Sequence, residues 1–227
     1  MNTFTQKEDD NIILKVLVGS KAHGLDTPQS DSDYRAVFVV PTGRILGLGG
    51  DVKNSQWIEG DVDNTSWEVG HFLRLATKCN PTILETFLSP VMEESKEGRR
   101  LRELFPHIWN STGVRDAFIG YGLNQRKKFL DGKDGRPAKF AAAYARSLYN
   151  AKELLETGTF TVRIGDLPFG KTVMKWKMGD YKVGEVIGIC YELEEEVRQA
   201  FNKNPNKTTD LEKVNEFLLD VRKTNFL

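Results

Sequence analysis

Two apolar runs, Ile12 to Val18 and Ala36 to Val40, are joined by a polar connection. It opens on Gly19-Ser20 and closes on Ser30-Asp31-Ser32-Asp33-Tyr34-Arg35. The branched aliphatic residues of the runs read as buried strands. Carboxylates at i and i+2 of a strand share a face, and side by side they repel each other unless a cation sits between them. A hard dication such as Mg²⁺ takes oxygen ligands and bridges carboxylates to phosphates. A Gly-Ser turn at a strand end offers backbone N–H groups and a hydroxyl to a phosphate. Together these are the parts of a phosphate-handling metal site. Asp-x-Asp alone is common in surface turns. The Gly-Ser pair and the placement of the acids at the mouth of the second run set this one apart.

Further along, Tyr34–Val40 reads as the second strand, ended by Pro41-Thr42-Gly43, and the glycine-rich 45–50 as a loop. Residues 56–64 form a candidate third strand on which Asp61 and Asp63 share a face. Thr65-Ser66-Trp67-Glu68 has capping-box spacing before a helix carrying Val69, Phe72, Leu73 and Ala76, expected to run to about Lys78. Asn80 then caps, and Pro81 opens, a short helix with Leu84 and Phe87. A boundary is expected near 89–98, dividing the chain into 1–92 and 93–227. The second part reads as mainly helical, with helices over 114–130, 139–157 (Gly158 as C-cap) and 181–202. A last helix follows Thr209-Asp210-Leu211-Glu212, with Val214, Phe217 and Val221 on one side. A brief strand is expected over 159–164 and a turn region over 165–170. The fold class is α+β: a small mixed sheet with flanking helices, then a mainly helical C-terminal part.

The chain has 227 residues, with 32 Lys plus Arg balanced by 32 Asp plus Glu. That balance argues against a surface built to coat long duplex nucleic acid, while leaving room for a local patch. Arg126-Lys127-Lys128 with Lys133, Arg136 and Lys139 is the best such patch, with a solvated hairpin as the alternative. The two cysteines, Cys79 and Cys190, show no metal-ligand spacing, so structural zinc is not expected. They read as buried free thiols of a reducing, cytoplasmic protein. Met1–Asp10 has no apolar segment of the signal-peptide kind, and no run approaches the roughly 20 residues of a membrane span.

The stretch Gly19 to Arg35 resembles the signature of the DNA polymerase β-type nucleotidyltransferase superfamily, and more closely that of the predicted nucleotidyltransferases of bacteria and their phages. The likeness extends to Phe72-Leu73-Arg74-Leu75-Ala76, Asn80-Pro81 and Glu85, covering about the first 90 residues. It continues loosely through a helix with Lys139, Arg146 and Glu153 to Gly158. The resemblance implies a nucleotidyltransferase core that moves an NMP from an NTP, ATP by family, to a hydroxyl or phosphate acceptor with Mg²⁺ or Mn²⁺. It also implies that Gly19 and Ser20 open the triphosphate site and that Asp31 and Asp33 bind metal.

Two metals call for about three carboxylates. The family's third acid lies on a later strand, before the Phe-Leu-Arg-Leu-Ala helix. Asp63 is the first choice, with Asp61 and the capping residue Glu68 as alternatives. Asp63 would help deprotonate the attacking hydroxyl. Lys21 and Arg35 would add charge near the phosphates, unless Arg35 pairs with Asp31 or Asp33. Lys139 and Arg146, seven apart on one helical face, either reach the triphosphate or acceptor or form a solvated face. His23 is a weak candidate base in a polar turn, and Trp57 and Trp67 read as packing residues rather than stacking platforms. The acceptor is unread: RNA, a small molecule and a protein side chain all fit. A catalytically silent nucleotide-binding or partner-binding module with the same fold is the competing reading.

Overall fold

Ile13, Leu14, Val16 and Val18 of the first apolar run are buried, as are Ala36, Val37 and Phe38 of the second. Burial of both runs is met by pairing them as adjacent strands, β1 (Ile12–Val18) and β2 (Asp33–Phe38). The computed structural model describes residues 11–48, 54–59 and 62–226. Side chains of 54–63 lie outside that description, and so do the whole of Asp61 and the expected contribution of the Trp57 ring.

The sheet has five strands in the order β3-β4-β2-β1-β5, where β3 is Asn54–Glu59, β4 is Val62–Glu68 and β5 is Val91–Glu94. Among the described residues only β2 and β4 run parallel, and the other pairings are antiparallel. The mixed sheet and the helices around it make the fold α+β. The single third strand expected over 56–64 is instead a pair, β3 and β4, in register from Asn54↔Trp67 to Glu59↔Val62. The expected division at 92/93 falls inside β5, which pairs with β1.

Short helices α1 (Gly19–His23) and α2 (Thr42–Leu46) follow β1 and β2; the latter replaces the start of the loop expected over 45–50. Helix α3 (Val69–Ala76) packs Val69, Phe72, Leu73 and Ala76 into the core, as their spacing demands. Its cap differs from expectation. Thr65 and Ser66 stay in β4, held by parallel pairing with Arg35 and Ala36, and Glu68 itself accepts the Gly70 N–H at 2.7 Å. Asn80 caps α4 (Pro81–Leu88), taking the N–H groups of Thr82 and Ile83.

Beyond β5 the chain is helical: α5 (Lys96–Glu103), α6 (Phe105–Ile108), α7 (Ser111–Leu130), α8 (Pro137–Thr157), α9 (Pro168–Lys177), α10 (Val183–Lys203) and α11 (Leu211–Thr224). Gly158 ends α8 at φ 85°. The strand expected over 159–164 does not form. Phe160, Val162 and Ile164 are buried, but among the described residues no neighbouring strand is there to pair with. The Glu153 carboxylate takes the Thr161 N–H and hydroxyl instead, and a 3₁₀ turn follows at Ile164–Asp166. The turn expected over 165–170 gives way to α9, opened by Pro168. Asp210 rather than Thr209 caps α11. Among the described residues no helix is long and apolar enough to cross a membrane.

One apolar cluster runs through the whole chain, from Leu14 and Val37 through Phe72, Phe87 and Phe118 to Val221. Aromatic rings touch in series along it: Trp67, Phe72, Phe87, Phe105, Phe160 and Phe118, with centroids 5.1 to 6.3 Å apart. Trp67 is a packing residue, as expected. A second cluster joins Leu25, just after α1, to Tyr144, Leu148, Trp176 and Cys190. Helices α8, α9 and α10 are thereby packed against the connection that carries the sequence signature.

Candidate active site

The connection between β1 and β2 begins at Gly19, whose φ is +70°. A Cβ there would stand 2.3 Å from Asp33 Oδ2. Glycine is therefore required twice, by the left-handed backbone and by the carboxylate that closes on it. No described side chain caps the first turn of α1. The Gly19-Ser20 turn and Asp33 are thus adjacent, as their register (Val18↔Asp33) requires.

Asp31 departs from the strand argument. Strand β2 starts at Asp33, so Asp31 lies in the loop before it, exposed, and strand alternation does not fix its face. That loop is shaped by a turn in which Thr27 N–H donates to Ser30 Oγ at 2.8 Å and Ser30 N–H to the Thr27 carbonyl at 2.9 Å. Lys21 Nζ donates to Ser32 Oγ at 2.7 Å, which ties α1 to the residue between the two aspartates. Neither Asp31 nor Asp33 takes part in a side-chain hydrogen bond or ion pair among the described residues.

Asp63 sits on β4, its backbone opposite Ile58. Thr65, two residues on, pairs with Arg35, which is two residues on from Asp33. The parallel register therefore sets backbone positions 33 and 63 level with each other. Asn64 reinforces that level, since its Oδ1 accepts the Tyr34 N–H at 2.9 Å. Among the described residues no three His, Cys, Asp or Glu side chains cluster as a metal set. Glu68 is otherwise engaged: it is 2% exposed, caps α3, and meets Arg222 of α11 through contacts of 2.6 and 2.8 Å.

Arg35 pairs with neither aspartate. Its Nη1 donates to the Thr82 carbonyl at 3.2 Å and lies 3.5 Å from Glu85 Oε1. Glu85, on α4, also meets His23 Nε2 at 3.1 Å and Nη1 of Arg146 from α8. Four elements thus converge on one buried carboxylate. Burial pushes the Glu85 carboxyl up, but Arg146, His23 and Arg35 outweigh it and hold it well below 4.5. An ionised carboxylate only accepts, so His23 Nε2 carries the proton it donates. Burial, then Arg146, lowers the His23 imidazole below 6.5 against the pull of Glu85. His23 is a fixed, neutral partner of Glu85 and not a free base.

The C-terminal helices hold the same connection. Arg163 Nη1 reaches the Lys21 carbonyl at 3.4 Å, and Lys177 Nζ donates to the Leu25 carbonyl. A Cβ on Gly165 would lie 2.0 Å from the Gly24 carbonyl oxygen, so a glycine is needed for that approach. Lys139 is exposed, and its charge is felt by Lys177. Arg146, seven residues along, is drawn inward by Glu85. Of the expected basic patch, residues 131–136 are exposed, and Arg136 lies 3.8 Å from Asp134.

Sequence reasoning missed Glu85 as a hub. The available signal was an acid on an otherwise apolar helical face, among Ile83, Leu84 and Phe87, all buried with it.

The model of the RNA repair pathway DNA polymerase beta family, RlaP, matches residues 1–167. The chain belongs to that family. It is thus of the polymerase β-type nucleotidyltransferases, as its Gly19–Arg35 signature suggested. A search of curated proteins returned no match. Among solved structures, a nucleotidyltransferase-like protein from Exiguobacterium sibiricum 255-15 overlaps 95% of this chain and 75% of its own. Its TM-score is 0.32 and its identity 10%, a likeness too slight to carry an argument.

Proposed function

We propose that the protein is a metal-dependent nucleotidyltransferase that moves an NMP from an NTP, ATP by family, to an RNA end. The observation that carries this is the contact of the Gly19 turn with the Asp33 carboxylate. It sets a phosphate-accepting backbone beside a carboxylate that no described cation meets in a direct ion pair. The family description supports RNA as the acceptor.

The donor set fits a hard divalent cation, Mg²⁺ or Mn²⁺: Asp31 and Asp33 are oxygen donors with no competing ion pair, and Asp63 is level with Asp33 in the sheet. These three residues would hold the metal. When bound, such a metal neutralises the charge gathering on the transferred and leaving phosphates. The Gly19-Ser20 turn would take the triphosphate through backbone N–H groups and the Ser20 hydroxyl. Lys21, fixed beside Ser32, would add positive charge there. Asp63 would accept the proton of the attacking hydroxyl. Lys139, at the exposed start of α8, would approach the triphosphate from the helical side.

The test is incubation with each α-³²P-labelled NTP, Mg²⁺ or Mn²⁺, and cellular RNA, protein and small-molecule fractions. Label is expected in RNA with the wild-type protein, and in no fraction with Asp33→Ala or with excess chelator. Label in another fraction would replace the acceptor and keep the transfer. No label in any fraction, with NTP still bound, would leave a silent nucleotide-binding module.

A further inference from the structure

Behind Asp33, where α4, α7 and α8 meet β2, lies a polar cavity of about 30 Å³. Its walls include Arg35, Glu85, Tyr121, Arg146 and Asn150. Two guanidiniums line it against one carboxylate, and His23 behind Glu85 is neutral, so positive charge predominates in the lining; Asp33, outside it, also attracts the Arg35 guanidinium. Its hydrogen-bond capacity is also unfilled. A guanidinium has five N–H donors, and the hydrogen bonds of Arg146 use Nη1 alone. Asn150 is 1% exposed and its amide N–H groups donate to no partner, which leaves them free for an anion; its Oδ1, also unpartnered, would take a donor such as water instead. Buried polar groups are normally satisfied. A water would have room here and would fill some of these bonds, but it brings no negative charge to the two guanidiniums.

We propose that this cavity is an anion site that receives one phosphate group of a reactant, held by Arg35, Arg146, Tyr121 and the Asn150 amide. A phosphate oxygen accepts several hydrogen bonds at once and matches the guanidinium fork. The volume is too small for a base or a sugar. Arg35 lies two residues from Asp33, about 7 Å along the strand, which is about one nucleotide step from the reacting phosphate. The proposal rests on the nucleotidyl-transfer reading above. The phosphate is either one in the acceptor strand or one of the triphosphate.

Asn150→Asp tests the proposal with an opposite sign for folding and binding. The new carboxylate supplies the missing negative charge, so the variant is expected to melt a few degrees higher than wild type. It also blocks the site. Inorganic phosphate, titrated while the side-chain N–H resonances of Arg35 and Arg146 are followed, should shift both in wild type. In Asn150→Asp the response should weaken at least tenfold. In the transfer assay, a KM at least fivefold higher for RNA alone assigns the strand phosphate, and one for NTP alone assigns the triphosphate. Unmoved arginine resonances in wild type, or an unchanged response in Asn150→Asp, would overturn the site. The titration needs no transfer, so its failure is separable from an inactive enzyme.

Discussion

Glu85→Gln keeps the shape of the side chain and removes the only carboxylate from a buried group of three bases. Glu85 is 6% exposed and meets His23, Arg35 and Arg146. Removing one partner from such a group leaves buried charge uncompensated, at a cost of about 3–5 kcal/mol. Against a typical stability of about 5–15 kcal/mol, that is a large fraction. For a chain of this length it lowers Tm by roughly 6–20 °C. Its pH dependence is more diagnostic than its size. In the folded protein the carboxyl is held well below 4.5, so its stabilising effect is full above the unfolded value and fades as pH falls below it. His23 acts in the same direction: held below 6.5, it resists protonation when folded, so stability declines as pH drops under that value. Wild type and Glu85→Gln should therefore differ most near pH 7, and the gap should narrow as pH falls below 4.5. Urea unfolding at pH 7, 5 and 3.5 measures this. A loss under 1 kcal/mol at pH 7, or a gap that widens in acid, would refute the idea that Glu85 is an ionised hub.

Gly19→Ala should fold with a loss of about 1–2 kcal/mol from the left-handed backbone but lose most nucleotidyl transfer, because its Cβ would displace the Asp33 carboxylate. Thermal melting beside the label assay checks it, and near-wild-type transfer would contradict the proposed role of the turn. Burial pushes the Cys190 thiol up to about 12, and also raises Cys79. Neither should react with an aromatic disulfide reagent at pH 8 in the folded protein, and both should in denaturant, read as released chromophore.

The parts of the fold legible in the sequence are those whose signal is local. Ile12–Val18 is a run of branched aliphatics, Asn80-Pro81 is a cap followed by a first-turn proline, and Gly158 is a glycine where a helix must end. The two helix-end signals are satisfied by neighbours within a few residues, while the strand's own composition reveals it although its partners, β2 and β5, lie further off. The β3 and β4 pair was not legible, because a polar, evenly mixed stretch gives no cue for a reversal within it. Helix α9 hides its buried residues, Val173 and Trp176, among lysines and a glycine. In the candidate site, the closeness of Gly19 and Asp33 was legible because strand pairing brings them together across one short connection. Glu85 was not, since His23 and Arg146 lie 62 and 61 residues away from it. No spacing rule spans such distances; only packing does.

Residues beyond the matched 1–167 are also part of what shapes the site. Strand β4, which carries Asp63, ends at Glu68, and Glu68 is where α3 begins. A carboxylate 2% exposed at that junction needs a cation, and α11 brings Arg222 to it. The same turn of α11 takes the Thr42 hydroxyl on the Arg222 carbonyl at 2.7 Å, just after β2. Both strands that bear the candidate acids are thus braced at their far ends by one helix near the C-terminus. Lys177 and Arg163 hold the phosphate turn from the other side. In the proposed reaction the acids on β2 and β4 would have to keep their relative positions, and like charges side by side push apart. Bracing from the last helix opposes that separation, so α11 would serve the proposed chemistry from a distance, whereas α8 would meet the phosphates directly.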